Sequence, residues 1–580
     1  MQDGRSSGLG ADRRLDFWPL AMSEYRFSGT INMAAFHDPP SSPLLRWGTR
    51  ITRSGDAIPF KLFEPRPLSV AELLADSARF GGREYVVQGD CRLTFSAVLD
   101  ATYCAAAALS RRRLGRGDRV MLMAANSPDW VIAFWAILQS GATVMLGNSW
   151  WSGVELAHAI ELGSPDLILS DERALERLPS GAPVTDLGSF VEESASRERP
   201  VTGLPQVDES DTALILFTSG TTGMPKGAML SQRALVALEH SLLHVTHRLP
   251  QDGILPEPEV TLQTGPLFHM GGVQALLLAT VLGQTMLLLP GRFSPSAVLE
   301  SIEHERVTRW GGVPTMIIRV LNDPSVATRD LSSLRSVTLG GAPVSEEVGR
   351  RLREVFPNVS RGVTQIYGMS EAGGTLTAAS GRDSVERPGT AGRALPLVDL
   401  RIDDPDEHGL GEIRARTPTQ MSGYLGLPND PMIDSDGWLA TGDLGYIDAD
   451  GYLFVTGRAK DMIIRGGENI AAAHVEAEIL SHPDIVDAAV VALPDDDLGE
   501  IVGAAVLVRD GVAVGADGLR QFLIERLAYF EVPEVWWFRG DMLPVNRVGK
   551  VDKRRLRDEW PKSDDAAPAS SAVPSKGPGS

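Results

Sequence analysis

The residues with the plainest chemical capacity lie between Leu214 and Leu230, LILFTSGTTGMPKGAML, where an apolar run gives way to hydroxyls, glycines and a lysine. Hydroxyls on Thr218, Ser219, Thr221 and Thr222 can donate to phosphoryl oxygens, as can closely approached amides at Gly220 and Gly223. Lys226 adds a fixed positive charge. The order Pro225-Lys226-Gly227 departs from the common nucleoside-triphosphatase loop, in which Gly-Lys is followed by Ser or Thr, and so disfavours a switch-type ATPase. From the residues alone, the stretch is either a phosphate cradle or a Gly/Thr turn without a ligand.

Such a loop needs an apolar strand before it and a helix after it, and the chain supplies that alternation over most of its length. An amphipathic helix is expected from about Leu68, strands around Tyr85 to Val87, and a helix opening at Thr94-Phe95-Ser96. Gly117-Asp118-Arg119 introduces the strand Val120 to Ala124, followed by a helix from Trp130 to Gln139. Strand and helix in alternation predict an α/β domain with parallel sheets. The turn Asp450-Gly451 precedes a smaller series of strands and helices. The expected organisation is an irregular extension over 1–60, a large domain over 61–459, a small one over 460–562 and a disordered Ala/Ser/Pro-rich tail over 563–580.

Composition narrows the function classes. Lys and Arg number 55 against 75 Asp and Glu, and the formal charge of −20 argues against general affinity for nucleic acid or anionic lipid. An anionic substrate would need a locally positive pocket. Two cysteines, Cys91 and Cys104, indicate neither a disulfide framework nor a zinc site, and a reducing cytoplasm is the simplest compartment. Gly271 to Pro290 carries no charge over the length of a membrane span. Its interruption by Gln274, Gly283, Gln284 and Thr285 predicts instead a buried helix, a glycine turn and a strand from Thr285 to Leu289. His240, His244 and His247 include the i, i+4 spacing of metal-binding helices, but without the His-Glu-x-x-His order they are read as a partly buried helix face.

The segment from Leu214 to Leu230 closely resembles the phosphate loop of the adenylate-forming superfamily, which includes acyl-CoA synthetases, aryl-acid CoA ligases, luciferases and peptide-synthetase adenylation domains. Three later segments resemble that family's other signatures in the same order. In QIYGMSE, the resemblance implies that Tyr367 stacks near adenine and that Ser370 and Glu371 belong to the nucleotide and magnesium site. GWLATGD is similar to the ribose-binding segment, implying that Asp443 accepts from the ribose hydroxyls; Arg458 in TGRAKD would reach ribose or phosphate, and Lys460 would be the hinge between domains. PVNRVGK resembles the C-terminal loop whose lysine, here Lys550, bridges carboxylate and phosphate oxygens during adenylation. The likeness covers about Leu68 to Trp560.

What the resemblance implies is a large adenylate-forming domain of parallel-sheet α/β layers with a β-barrel-like part, and a small mobile α+β C-terminal domain. The implied reaction uses ATP, Mg2+, a carboxylic acid and coenzyme A to give an acyl-CoA, AMP and pyrophosphate. Gly466 and Gly467 in RGGENI would line the approach of the thiol, and His269 in PLFHMGG would stand beside the carboxylate. After RGGENI the chain has Ala471-Ala472-Ala473-His474 where synthetases usually have a Tyr-Pro-Ala-Glu-like run, which leaves a carrier-protein pantetheine as an alternative acceptor. A nucleotide-binding paralogue without turnover is the alternative of another class. The acyl pocket would draw on the helix from Gly271, on Gly340-Gly341-Ala342-Pro343 and on Ile366, whose branched side chain favours compact or cyclic acids over straight long chains. Trp150, Trp151 and Trp310 are read as packing residues.

Overall fold

Four-residue runs such as Thr143–Leu146 and Leu167–Ser170 are buried along their whole length, the pattern of parallel strands covered on both faces. The computed structural model describes residues 47–195, 203–219, 224–250, 255–341, 346–359, 362–427, 431–458, 461–466, 468–495, 497–509, 511–512, 514–546 and 550–561. In it these runs join a six-stranded sheet ordered Pro225–Ser231, Thr212–Ser219, Thr143–Leu146, Arg119–Met123, Leu167–Ser170, Val184–Asp186. Its neighbours are parallel apart from the first pair. The helix Pro128–Ser140 that covers it starts where Ser127 Oγ accepts from the Trp130 N–H, with Pro at the first turn, and stops at Gly141 in the left-handed region at φ 86°.

A second sheet of thirteen strands holds the positions that matter for chemistry. Its centre is parallel: Glu84–Gln88, Thr285–Leu288, Val260–Gln263, Arg309–Gly312, Ser336–Gly340 and Val363–Met369 lie side by side. Beyond Val363–Met369 it turns antiparallel through Gly374–Ala379, Thr390–Ala394, Tyr452–Arg458, Leu439–Ile447 and Gly411–Arg416 to Asp399–Asp403. Alternating burial along Gly411–Arg416 is the mark of strands with one inner face. This antiparallel run continues the same thirteen-stranded sheet.

Sheet membership changes between Arg458 and Met462. Met462–Arg465, Glu468–Ala471, Ile485–Asp495, Gly499–Val508 and Val535–Arg539 form a separate five-stranded sheet. Helices Ala472–Leu480 and Ala516–Ile524 cover it around a core that includes Val475, Ile479, Leu519, Leu523 and Trp536. The Asp450-Gly451 turn belongs to the larger unit, where it joins Leu439–Ile447 to Tyr452–Arg458.

Two expectations need revision. The irregular lead-in ends before residue 60, because Arg50–Arg53 pairs antiparallel with Lys61–Glu64. The reason is long-range: the Gly48 carbonyl meets His240 Nε2 at 2.8 Å, the Phe63 ring stacks on His240 at 4.3 Å, and Trp47 packs edge-on against the same imidazole. That is also what occupies His240 on its helix, Gln232–Val245. Secondly, the hydroxyl-rich loop does not lead straight into that helix. It leads into the strand Pro225–Ser231, which returns antiparallel along Thr212–Ser219.

The uncharged stretch from Gly271 forms the helix Met270–Leu282, a left-handed stop at Gly283 and the strand Thr285–Leu288. No helix among the described residues is long and apolar enough to cross a membrane.

Candidate active site

Parallel strands bring their carboxyl ends to one edge of a sheet, and crevices along such an edge are natural ligand sites. Here Gly312, Gly340 and Met369 are the last residues of three adjacent strands. Gly341, one residue on, has φ 82°, a conformation that favours glycine. Its missing side chain has a further consequence. A Cβ there would lie 3.1 Å from Lys550 Cε and 3.4 Å from Nζ, so the lysine passes directly over the glycine.

Lys550 comes from the small domain. A short turn presents it: Asn546 Oδ1 accepts from the Lys550 N–H at 3.0 Å, Lys550 O accepts from the Asn546 N–H at 2.6 Å, and Val545 bridges to Val551. Burial holds its ammonium below the usual lysine range, with Arg458 lowering it further and Asp443 opposing. The site therefore presents a partly desolvated cation facing groups of both signs.

Asp443 is the hub of those groups. It sits on Leu439–Ile447 directly across from Arg458 on Tyr452–Arg458, and Arg458 Nε meets Asp443 Oδ1 at 3.0 Å. Tyr367 OH donates to the other carboxylate oxygen at 2.8 Å, and the Asp443 N–H donates to Thr441 Oγ1 at 3.1 Å. Burial, then the neighbouring Asp443 carboxylate, raises the Tyr367 phenol well above its ordinary value, so it remains a donor. His269 caps the helix Met270–Leu282 and has its Nε2 buried without a hydrogen-bond partner among the described residues. Burial and Lys550 push its imidazole down to about 4, which keeps it neutral near pH 7.

A second group lies around Glu371, a buried residue on the 3-10 turn Ser370–Ala372 that follows Tyr367. Tyr424 OH donates to Glu371 Oε1 at 2.8 Å, and Lys226 Nζ lies 4.9 Å from the centre of the Tyr424 ring. Tyr424 links Lys226, at the end of the hydroxyl-rich segment, to the Glu371 carboxylate. Sequence reading did not single it out: it lies in a loop without periodicity, and its partner is 53 residues away.

The structure thus brings together Lys550, His269, Gly341, Tyr367, Asp443 and Arg458, with Glu371, Ser370 and Lys226 on adjoining elements. Ile366 pairs with Gly340, and its side chain lies where a Gly340 Cβ would be, 2.7 Å from Cγ1. Thr218 pairs with Lys226 across the loop's two strands. Gly466 is in a different place, a turn of the small sheet with φ 56° whose N–H donates to the Leu498 carbonyl. Gly220, Thr221, Thr222, Gly223, Ala342, Pro343, Lys460 and Gly467, and the Ser219 side chain, lie outside the described residues. Trp310 and Trp151 are core residues, whereas Trp150 is 45% exposed and packs edge-on against Phe268, next to His269.

With the geometry in hand, the relatives of the chain can be compared. The model of the AMP-binding enzyme family matches residues 74–425, and that of the AMP-binding enzyme C-terminal domain matches residues 474–550. The chain is 35% identical to a 2-succinylbenzoate–CoA ligase of Bacillus licheniformis, over 82% of this chain and 96% of that protein. It is equally 35% identical to a feruloyl-CoA synthase of an Amycolatopsis species, over 76% of this chain and 88% of that protein. Among solved structures it is similar to o-succinylbenzoate CoA synthetase from Bacillus subtilis. That enzyme was solved with the acyl-adenylate intermediate, TM-score 0.71, and with ATP and magnesium ion, TM-score 0.70; each is 29% identical and covers 84% of this chain and 98% of that one.

Proposed function

This chain belongs to the AMP-binding enzyme family, and on that premise we infer that it is an AMP-forming acid–thiol ligase. ATP and a carboxylic acid give an acyl-adenylate and pyrophosphate; the acyl group then passes to coenzyme A and AMP leaves. The observation that carries this reading is Lys550, delivered from the small domain into the same crevice as Asp443, Arg458, Tyr367 and His269.

We assign Asp443 and Arg458 to the ribose side of the nucleotide, Tyr367 to its base side, and the loop from Thr218 to Lys226 to the phosphates. Lys550 is assigned to the meeting point of carboxylate and α-phosphate, where two anions must approach and a preorganised cation lowers the barrier. Neutral His269 borders that point without adding charge. Gly466 and Gly467 are assigned to the thiol step and Lys460 to the hinge.

Magnesium suits Glu371. The carboxylate is buried, and Tyr424 engages one of its oxygens. A single protein carboxylate completed by phosphate oxygens and water is the usual manner of holding that ion. When bound, it offsets phosphate charge during pyrophosphate departure.

The acid is proposed to be compact or cyclic. Ile366 covers Gly340, with its Cγ1 2.7 Å from where a Gly340 Cβ would be, whereas a Cβ on Gly271 would meet nothing within 4 Å. A branched side chain over Gly340 suits a compact or cyclic acid better than a long straight chain. Ile366→Gly should therefore shift the preference toward longer acids by about tenfold in relative kcat/KM, the scale of one or two methylenes in an apolar pocket. An unchanged chain-length profile would count against the compact pocket.

The proposed compartment is the cytoplasm, which supplies ATP and CoA. The test of function is acid-dependent pyrophosphate release with Mg-ATP over aliphatic, aryl and polycyclic acids, with CoA, with a carrier-protein pantetheine and with neither. Thioester in the CoA arm supports the ligase; an adenylate that ignores CoA and loads the carrier replaces the acceptor; no release with any acid refutes the reading.

A further inference from the structure

The lysine that crosses Gly341 is carried on a short segment, and what fixes that segment decides where the ammonium stands. On its leading side the Asn546 turn and the bridge from Val545 to Val551 hold it. On its trailing side the chain enters the helix Lys553–Asp558. Asp552 caps that helix: its Oδ1 accepts the Arg555 N–H at 3.1 Å, and its own N–H donates to the Pro544 carbonyl at 2.8 Å. Leu556 is fully buried in a small apolar cluster with Ala489 and Val491 of the strand Ile485–Asp495. A helix this short, held by one leucine, can pivot about that contact unless its first residue has an attachment of its own.

Lys553 provides the attachment. Its Nζ lies 2.7 Å from Oε1 of Glu476, on the helix Ala472–Leu480, and the two side chains are only 25% and 18% exposed. The same oxygen accepts the Val490 N–H at 2.8 Å. Val490 lies on Ile485–Asp495, at one margin of the small sheet, where an outward amide has no further strand to bond. One carboxylate oxygen therefore ties together a helix, a strand and the residue three places after Lys550. Burial raises the Glu476 carboxyl above its ordinary value, and Lys553 and then the Val490 N–H act against that. Removing the lysine would leave a half-buried carboxylate without its counter-charge, which is costlier than never having had the pair.

We propose that Glu476 and Lys553 are positioning residues that set the reach of Lys550 over Gly341 by fixing the first turn of the helix behind it. The proposal rests on the reading of Lys550 as the adenylation lysine and adds what aims that lysine. Between the two lysines, Val551 packs on the same apolar cluster and pairs with Val545, so a shift of the helix start passes to Lys550 with little slack to absorb it. A group that must meet two converging anions tolerates little such displacement.

The experiment uses the full chain and measures the two half-reactions separately. In Lys553→Met, acid-dependent pyrophosphate release should fall about tenfold, less than the roughly hundredfold cost of an ångström of misplacement. Lys553→Arg keeps a cation within reach of Glu476 and should stay within about threefold of wild type. Thioester formation from supplied acyl-adenylate should stay within about twofold in both variants, which also shows that the small domain is folded. In a Lys550→Ala background, Lys553→Met should cost less than about twofold more, because a residue acting through another has nothing to add once that other is gone. Wild-type pyrophosphate release in Lys553→Met, no recovery with arginine, an equal loss in both half-reactions, or an undiminished loss on top of Lys550→Ala would overturn the role of the pair. Undiminished adenylation in Lys550→Ala, or no pyrophosphate release from the wild type with any acid, would overturn the underlying reading instead.

Discussion

Lys550→Ala should reduce adenylation by about two to three orders of magnitude, the usual effect of removing one preorganised charge-stabilising group. The lysine's surroundings explain the size of the effect. Its ammonium is partly desolvated, Arg458 disfavours its charge, and the opposing carboxylate, Asp443, is already shared between Arg458 and Tyr367. The cation is thus held at some cost, and an incoming carboxylate and phosphate relieve that cost as their oxygens converge. The bare backbone of Gly341 leaves room for the lysine stem, since a Cβ there would lie 3.1 Å from Lys550 Cε. Thioester formation from supplied acyl-adenylate should fall far less, since the anions have by then been joined. Single-turnover rates of the two half-reactions, measured separately, check this, and equal losses would contradict the role assigned to Lys550.

Glu371→Gln should lower adenylation by about a hundredfold and move its magnesium dependence to higher concentration. The amide has nearly the same shape, and its oxygen can still accept from Tyr424, so the loop should keep its position; what disappears is the negative charge. Titration of pyrophosphate release with Mg2+ at saturating ATP measures the effect. A variant with reduced rate and unaltered magnesium dependence would reassign Glu371 to holding Tyr424 beside Lys226.

Elements with strong periodicity were legible before the structure. The helix expected to open at Thr94 is Phe95–Arg111, capped by Thr94, and the uncharged stretch from Gly271 folds as a helix, glycine stop and strand. These are local patterns, set by caps and by the spacing of apolar residues. The strand Pro225–Ser231 was less legible because PKGAMLS has no decisive period; pairing with Thr212–Ser219 decides its conformation. Trp47 and Gly48 could not be read as structured because what orders them is His240, nearly two hundred residues later.

The site divides along the same line. Asp443, Arg458, Tyr367 and Glu371 lie in segments that resemble family signatures, and the structure places the first three in hydrogen-bonding contact. Tyr424 has no local pattern of its own. It acquires meaning only from a partner on a distant element, the Glu371 carboxylate.

Asp443 and Arg458 face each other across one hairpin, and the chain leaves that hairpin at Arg458 on its way to the small domain. This has a bearing on exchange of parts between related proteins. A graft that joins a foreign small domain after Arg458 keeps Asp443 and Arg458 of the host in register, whereas a junction inside Leu439–Ile447 or Tyr452–Arg458 risks a one-residue slip that turns every side chain of the strand to the opposite face. The cut that preserves the Asp443–Arg458 pairing therefore lies between Arg458 and Met462, where the chain passes from one sheet to the other.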